Sequence, residues 1–139
     1  MNQTAIFWPM LAHVLLVYIV YAVMAKRRYG AVRSGQVKAS QFKVRGIEPE
    51  VSATVSNNLM NQFELPVLFH ALCLALYVTN GVNYLTLILL WIFVVSRYVH
   101  AWVHLTSNKV PQRHNAFVAG VVALGLCWVW FALHIASVA

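Results

Sequence analysis

LMNQFELPVLFHALCLALYV, residues 59–78, and LTLILLWIFVVSRYVHAWVHL, residues 85–105, are two apolar runs with only a short connection between them. Each is close to the roughly 20 residues that cross a hydrocarbon core of about 30 Å. Each also carries a residue that such a core penalises, Glu64 in the first and Arg97 in the second. Ionisable side chains at that depth usually face a bundle interior or an aqueous cavity, and they mark functional sites.

Two further apolar runs, 6–25 and 117–138, flank this pair, and the 139-residue chain is 61% apolar and only 9% charged. Backbone groups in lipid must find partners within their own segment, so runs of this length are helices. The expected fold is all-α, an integral membrane four-helix bundle in a single domain, 1–139. Its helices are expected at about 6–25, 50–78, 84–106 and 111–138, with a loop over 26–49. Pro9 suits a first helical turn, and so does Pro111. Glu48-Pro49-Glu50 reads as a helix start, Asn80-Gly81 as a turn, and Ser107-Asn108 as capping residues. Pro66 lies inside the second helix, where proline removes a hydrogen bond and kinks the helix. It reads either as an ordinary membrane-helix proline or as a bend that opens space beside Glu64.

A net charge of +7 would suggest nucleic acid in a soluble protein. The charges are instead grouped by topology. Lys26, Arg27, Arg28, Arg33, Lys38, Lys43 and Arg45 fall between the first two spans, Lys109 and Arg113 after the third, and none in 79–83. Positive charge gathers on the cytoplasmic side. The loops 26–49 and 106–112 are therefore expected to be cytoplasmic, with both termini outside, in a membrane of the bacterial inner type. Membrane lipids are expected partners, anionic ones at the basic stretch, and nucleic acid is not. The first run lacks a basic segment before it and is followed by Lys26-Arg27-Arg28, which reads as a retained span and not a cleaved signal. Cys73 and Cys127 fall inside predicted helices, show no metal-finger or redox spacing, and read as packing residues.

The polar residues of the central pair keep helical spacing. Asn57, Asn61 and Glu64 follow i, i+4, i+7, and Arg97, His100 and His104 follow i, i+3, i+7, so each set forms one stripe. Folding the two runs as an antiparallel hairpin about residue 81 puts Glu64 level with position 99, between Arg97 and His100. The same construction about residue 109 places Arg113 near His104, in the first turn of the last helix. A cation there adds to unpaired backbone N–H groups and favours a carboxylate or a thiolate. Other readings stand beside this one. Glu64 and Arg97 could be an ion pair that only fixes register. His100, His104 and Glu64 could hold a metal, although no HExxH pattern or second carboxylate accompanies them, and no metal is expected. His13, His70 and His134 lie singly on apolar helices and read as packed residues. Tyr98, Trp102, Trp128 and Trp130 read as lipid-facing or interfacial.

On these residues the chain resembles the MAPEG superfamily, the membrane-associated proteins in eicosanoid and glutathione metabolism. Asn61-Gln62-Phe63-Glu64-Leu65-Pro66 matches the family's NxxE followed by proline. Arg97, His100 and His104 match its third-helix pattern, and Pro111-Gln112-Arg113 its arginine at the start of the fourth helix. The resemblance implies homotrimers with glutathione as co-substrate, bound between adjacent subunits near the cytosolic face. It implies Asn61, Glu64, Arg97, His100 and His104 as glutathione-binding residues and Arg113 as the catalytic group that stabilises the thiolate; Asn57 and Pro66 are expected to line the same pocket. The implied activity is that of a transferase or peroxidase acting on a lipophilic small molecule. The family's glutathione enzymes carry an arginine where this chain has Asn57, and tyrosine where it has His104. Two other functions fit the same residues: a non-catalytic protein holding lipid or a partner in the pocket, and a small structural subunit of a larger complex.

Overall fold

A computed structural model describes residues 1–43 and 49–138. Arg45 of the basic stretch and Glu48 of the expected helix start lie outside the described residues. The chain forms five α-helices among the described residues: α1 Phe7–Arg33, α2 Glu50–Asn61, α3 Leu65–Val78, α4 Tyr84–Leu105 and α5 Val110–Val138. Short 3-10 turns occupy Gln3–Ile6 and Ala39–Phe42. With α2 and α3 taken as one span, four helices are long and apolar enough to cross a membrane. Large apolar side chains such as Trp8, Tyr18, Ile88 and Leu133 face outward along them. The protein is an integral membrane protein.

The first helix does not stop at residue 25 but runs eight residues further, carrying Lys26, Arg27, Arg28 and Arg33 on a helix instead of a loop. Lysine and arginine are good helix formers, and a change of polarity does not end a helix. The stop is Ser34-Gly35. Gly35 has φ +75°, its N–H bonds to the Val32 carbonyl, and the Gln36 N–H bonds to the Ala31 carbonyl, the paired closure of a left-handed glycine cap. Asn80 (φ 55°) closes α3 in the same way, with its N–H on Tyr77 and that of Gly81 on Leu76. Asn83 then opens α4 with a reciprocal cap: its Oδ1 accepts from the Thr86 N–H, and the Thr86 hydroxyl accepts from the Asn83 N–H.

The second span is broken, not continuous over 50–78. Gln62 and Phe63 close α2 with i→i−3 bonds to Leu59 and Met60, and Glu64 starts α3 at φ −94°, ψ −99°. Pro66 explains the break. It has no N–H for the Gln62 carbonyl and its ring crowds that carbonyl, whereas a first helical turn accepts it. Pro66 is buried and does not line a pocket with the site residues, so its expected pocket-lining place is not found.

α4 is the central helix. Phe93 stacks on Phe69 of α3 at 4.8 Å between centroids, within a core that includes Leu72, Leu90 and Leu124. A second cluster joins Leu16 and Val20 of α1 to Val55 and Leu59 of α2 and Ala101 of α4. Tyr98 is not lipid-facing: its hydroxyl donates to the Ala12 carbonyl at 2.8 Å, tying α4 to α1. Gln3 clasps the backbone of Val82 in both directions, at 3.0 and 3.2 Å. α4 packs closely on α5 at Gly120, where any Cβ would collide with the Ser96 hydroxyl. That hydroxyl already donates to the Phe93 carbonyl at 2.6 Å, so it cannot turn away without losing a bond. Gly120→Ala should therefore destabilise by about 1–3 kcal/mol despite its better helix propensity. Adding Ser96→Ala, which removes only the clashing hydroxyl, should recover most of the loss, read as melting temperatures in a double-mutant cycle.

Candidate functional site

At the end of the bundle where α4 turns into α5, three helices enclose a cavity of about 300 Å³. α2 contributes Asn57 and Asn61, α4 His100 and His104, and α5 Val110, Arg113, His114 and Phe117. Four of the six stripe residues thus meet around the cavity; Arg97 and Glu64 do not line it. None of the lining side chains is acidic.

Arg97 sits one turn deeper than His100 and is only 1% exposed. Its Nη2 donates to the carbonyl of Asn61 at 2.9 Å, and its guanidinium lies 6.0 Å from the Phe117 ring centroid. Its Nε and Nη1 have no partner among the described residues. A buried cation with vacant donors is costly, and here it lies against residues that line the cavity. The other cationic group, Arg113, is held from two sides. Its Nη1 donates to Asn108 Oδ1 at 2.9 Å, and its backbone carbonyl accepts from His100 Nδ1 at 3.1 Å. With Nδ1 committed, a neutral His100 keeps Nε2 as an acceptor, and that atom is buried without a partner. His104 Nδ1 is also buried and unpartnered. His100 and His104 meet edge to face at 5.7 Å.

Glu64 does not join them. It is exposed and lines a different groove of about 440 Å³, with Tyr21, Met24 and Arg28 of α1, Met60 of α2 and Phe63 of the break. It makes no hydrogen bond to Arg97, so within one chain the two form no register-fixing ion pair. The break at 62–64 is the cause. The i+7 relation between Asn57 and Glu64 requires a continuous helix, and the break over residues 62–64 turns the carboxylate out of the stripe. The level match moves accordingly, and Arg97 reaches the carbonyl of Asn61 instead of the carboxylate of Glu64. Nor can Glu64 complete a metal set with His100 and His104 in one chain. No group of three metal-ligating side chains occurs among the described residues.

A buried polar cluster at the same break was not expected. Asn58 and Gln62, one helical turn apart, are joined by a 3.1 Å amide hydrogen bond, and each keeps one unpartnered polar atom. His13 and His70 are not solitary: their rings share a hydrogen bond of 3.1 Å across α1 and α3. His134 bonds the Thr79 carbonyl at 3.1 Å and caps the end of α3. The Asn58/Gln62 pair was legible as an i, i+4 stripe beside Asn57/Asn61. The histidine pairing was not, because nothing in local spacing joins α1 to α3. His114 also lines the cavity and had no sequence signal beyond adjoining Arg113.

No curated protein and no solved structure matches the chain. One family model does, over residues 6–133, and it is that of the MAPEG family.

Proposed function

The chain belongs to the MAPEG family, and from that premise we propose that it is a glutathione-dependent transferase or peroxidase acting on a lipophilic electrophile that reaches the cavity from the bilayer. The observation that carries this reading is the acid-free cavity formed by Asn61, His100, His104 and Arg113, backed by the vacant donors of Arg97. Such a lining suits a small peptide bearing carboxylates and a thiol. Arg113 is the group we assign to the sulfur, stabilising the thiolate as it attacks. Asn61, Arg97, His100 and His104 hold the peptide, with Asn57 at the lining where a further arginine would add charge. Catalysis on this scheme is positioning plus electrostatic stabilisation.

At about 300 Å³ the cavity lies at the lower limit for small-molecule sites. The exposed carboxylate of Glu64, costly at membrane depth, also wants a partner. A homotrimer answers both needs if Glu64 of one copy closes the site of its neighbour. The face bearing Arg113 is assigned to the cytosol, with 26–49 and 106–112, in a membrane of the bacterial inner type.

Glutathione at millimolar concentration should raise the melting temperature of detergent-purified protein by several degrees, since ligand at about 100 Kd stabilises by about 2.7 kcal/mol. The absence of both a melting shift and calorimetric heat would remove the reading. Asn57 favours the alternative of a non-catalytic protein holding lipid or a partner subunit here, and retained lipid that glutathione fails to displace would establish it.

A further inference from the structure

We propose that a second, separate groove, between the basic end of α1 and the start of α2, binds the headgroup of one anionic phospholipid per chain. The groove has a volume of about 480 Å³ and is lined by Lys26 and Arg27, by Ser34 and Gln36 of the closing turn, and by Val23 and Val51. It shares no residue with the cavity at Arg113.

Its position selects a lipid. Lys26 and Arg27 follow the apolar run 6–25 directly, so they rise within about 3 Å of its end along the helix axis. That places them in the headgroup layer, roughly 5–7 Å deep on each side. Val23 lies a turn deeper, where an acyl chain would begin, and Ser34 and Gln36 lie on the watery side with polar groups for a phosphodiester or its alcohol.

Among the described residues the Arg27 charge is fixed in place and has no acidic partner. Arg27 donates to the Thr54 hydroxyl at 2.9 Å and to the Leu105 carbonyl at 2.7 Å, so its fork is immobilised by two acceptors that carry no charge. None of the described lining residues is acidic. An oriented guanidinium held by neutral acceptors beside a lysine is the kind of basic pocket between spans that takes anionic headgroups. Gly30 supplies the room. It lines the groove, and a Cβ built on it meets nothing within 4 Å.

Gly30 also makes the test selective, because the side chain of Gly30→Leu starts in open space within the groove and changes no charge. Native mass spectrometry in mild detergent, titrating phosphatidylglycerol against phosphatidylcholine, reads the occupancy. The wild-type protein should retain one phosphatidylglycerol per chain in preference to phosphatidylcholine. Lys26→Gln and Gly30→Leu should each weaken that retention about five- to tenfold, near 1 kcal/mol per headgroup contact. Lys109→Gln, which removes a charge outside the groove, should leave it unchanged. The melting temperature of Gly30→Leu should hold or rise, leucine being the better helix former. Wild-type retention in Gly30→Leu, or equal losses in Lys26→Gln and Lys109→Gln, would mean diffuse surface attraction and overturn the site. Complete displacement of the lipid by millimolar inorganic phosphate would overturn its assignment to a lipid.

Discussion

Arg113→Ala should lower the rate of glutathione conjugation to an aryl chloride by about 10²- to 10³-fold, the usual cost of removing one preorganised donor from a developing anion. The expectation comes from how Arg113 is held. It stands in the first turns of α5, where the helix dipole already favours negative charge. Asn108 Oδ1 fixes its guanidinium and His100 fixes its backbone carbonyl, so the cation is positioned before any ligand arrives. A cation so placed lowers the pKa of a nearby thiol below the free value of about 8.5. The decisive measurement is therefore the pH dependence of the rate. In the wild type the rate should reach its plateau below the pH set by free thiol, and in Arg113→Ala that rise should move upward toward it. Arg113→Lys should fall between the two, keeping the charge and losing the planar fork. Equal rates and equal profiles in wild type and Arg113→Ala would take the residue out of the chemistry.

How much of this was legible beforehand differs from element to element, for physical reasons. The four spans follow from length and composition, because apolar runs of about 20 residues have few alternatives in a bilayer. Their boundaries were less legible. Polarity changes at Lys26-Arg27-Arg28, but helix geometry continues through good helix formers until Ser34-Gly35 supplies a left-handed cap. Pro66 announced a disturbance but not its size. Between a kink and a break the difference is only three residues, yet those three decide where Glu64 points.

The site divides along the same line. His100, His104 and Arg113 share one hairpin, α4 and α5, with a tight connection, and local spacing was enough to bring them together. Asn57 and Asn61 precede the break and keep their phase. Glu64 follows it and loses its phase. The His13–His70 bond joins α1 to α3, and no periodicity within a single helix carries information about that pairing. Phe117, four residues after Arg113, lies with its ring beside the Arg97 guanidinium, a contact between α4 and α5 that spacing within one helix does not show.

Arg97→Met separates the two roles that a buried arginine at this depth can have. If Arg97 serves only to fix helix register, its removal should cost stability and leave ligand binding nearly intact. The geometry argues for the opposite. Arg97 makes a single protein hydrogen bond, to the Asn61 carbonyl, and keeps two donors vacant in a 1% exposed position. A desolvated cation with one neutral partner contributes little to folding, and replacement of buried charges by apolar groups of similar volume is often neutral or stabilising by about 1–4 kcal/mol. Methionine fills similar space beside Phe117, so the melting temperature in detergent should change by no more than a few degrees. Binding should respond quite differently. Hydrogen bonds to charged groups are worth about 1.5–3 kcal/mol each, and two donors offered to a carboxylate give roughly 10²- to 10⁴-fold in affinity. Calorimetric titration of glutathione into Arg97→Met should therefore show no measurable heat, while Arg97→Lys, a point charge without the fork, should retain a fraction of the affinity. A variant that melts far lower than wild type yet binds glutathione as tightly would assign Arg97 to the scaffold and leave Arg113 as the cavity's sole functional cation.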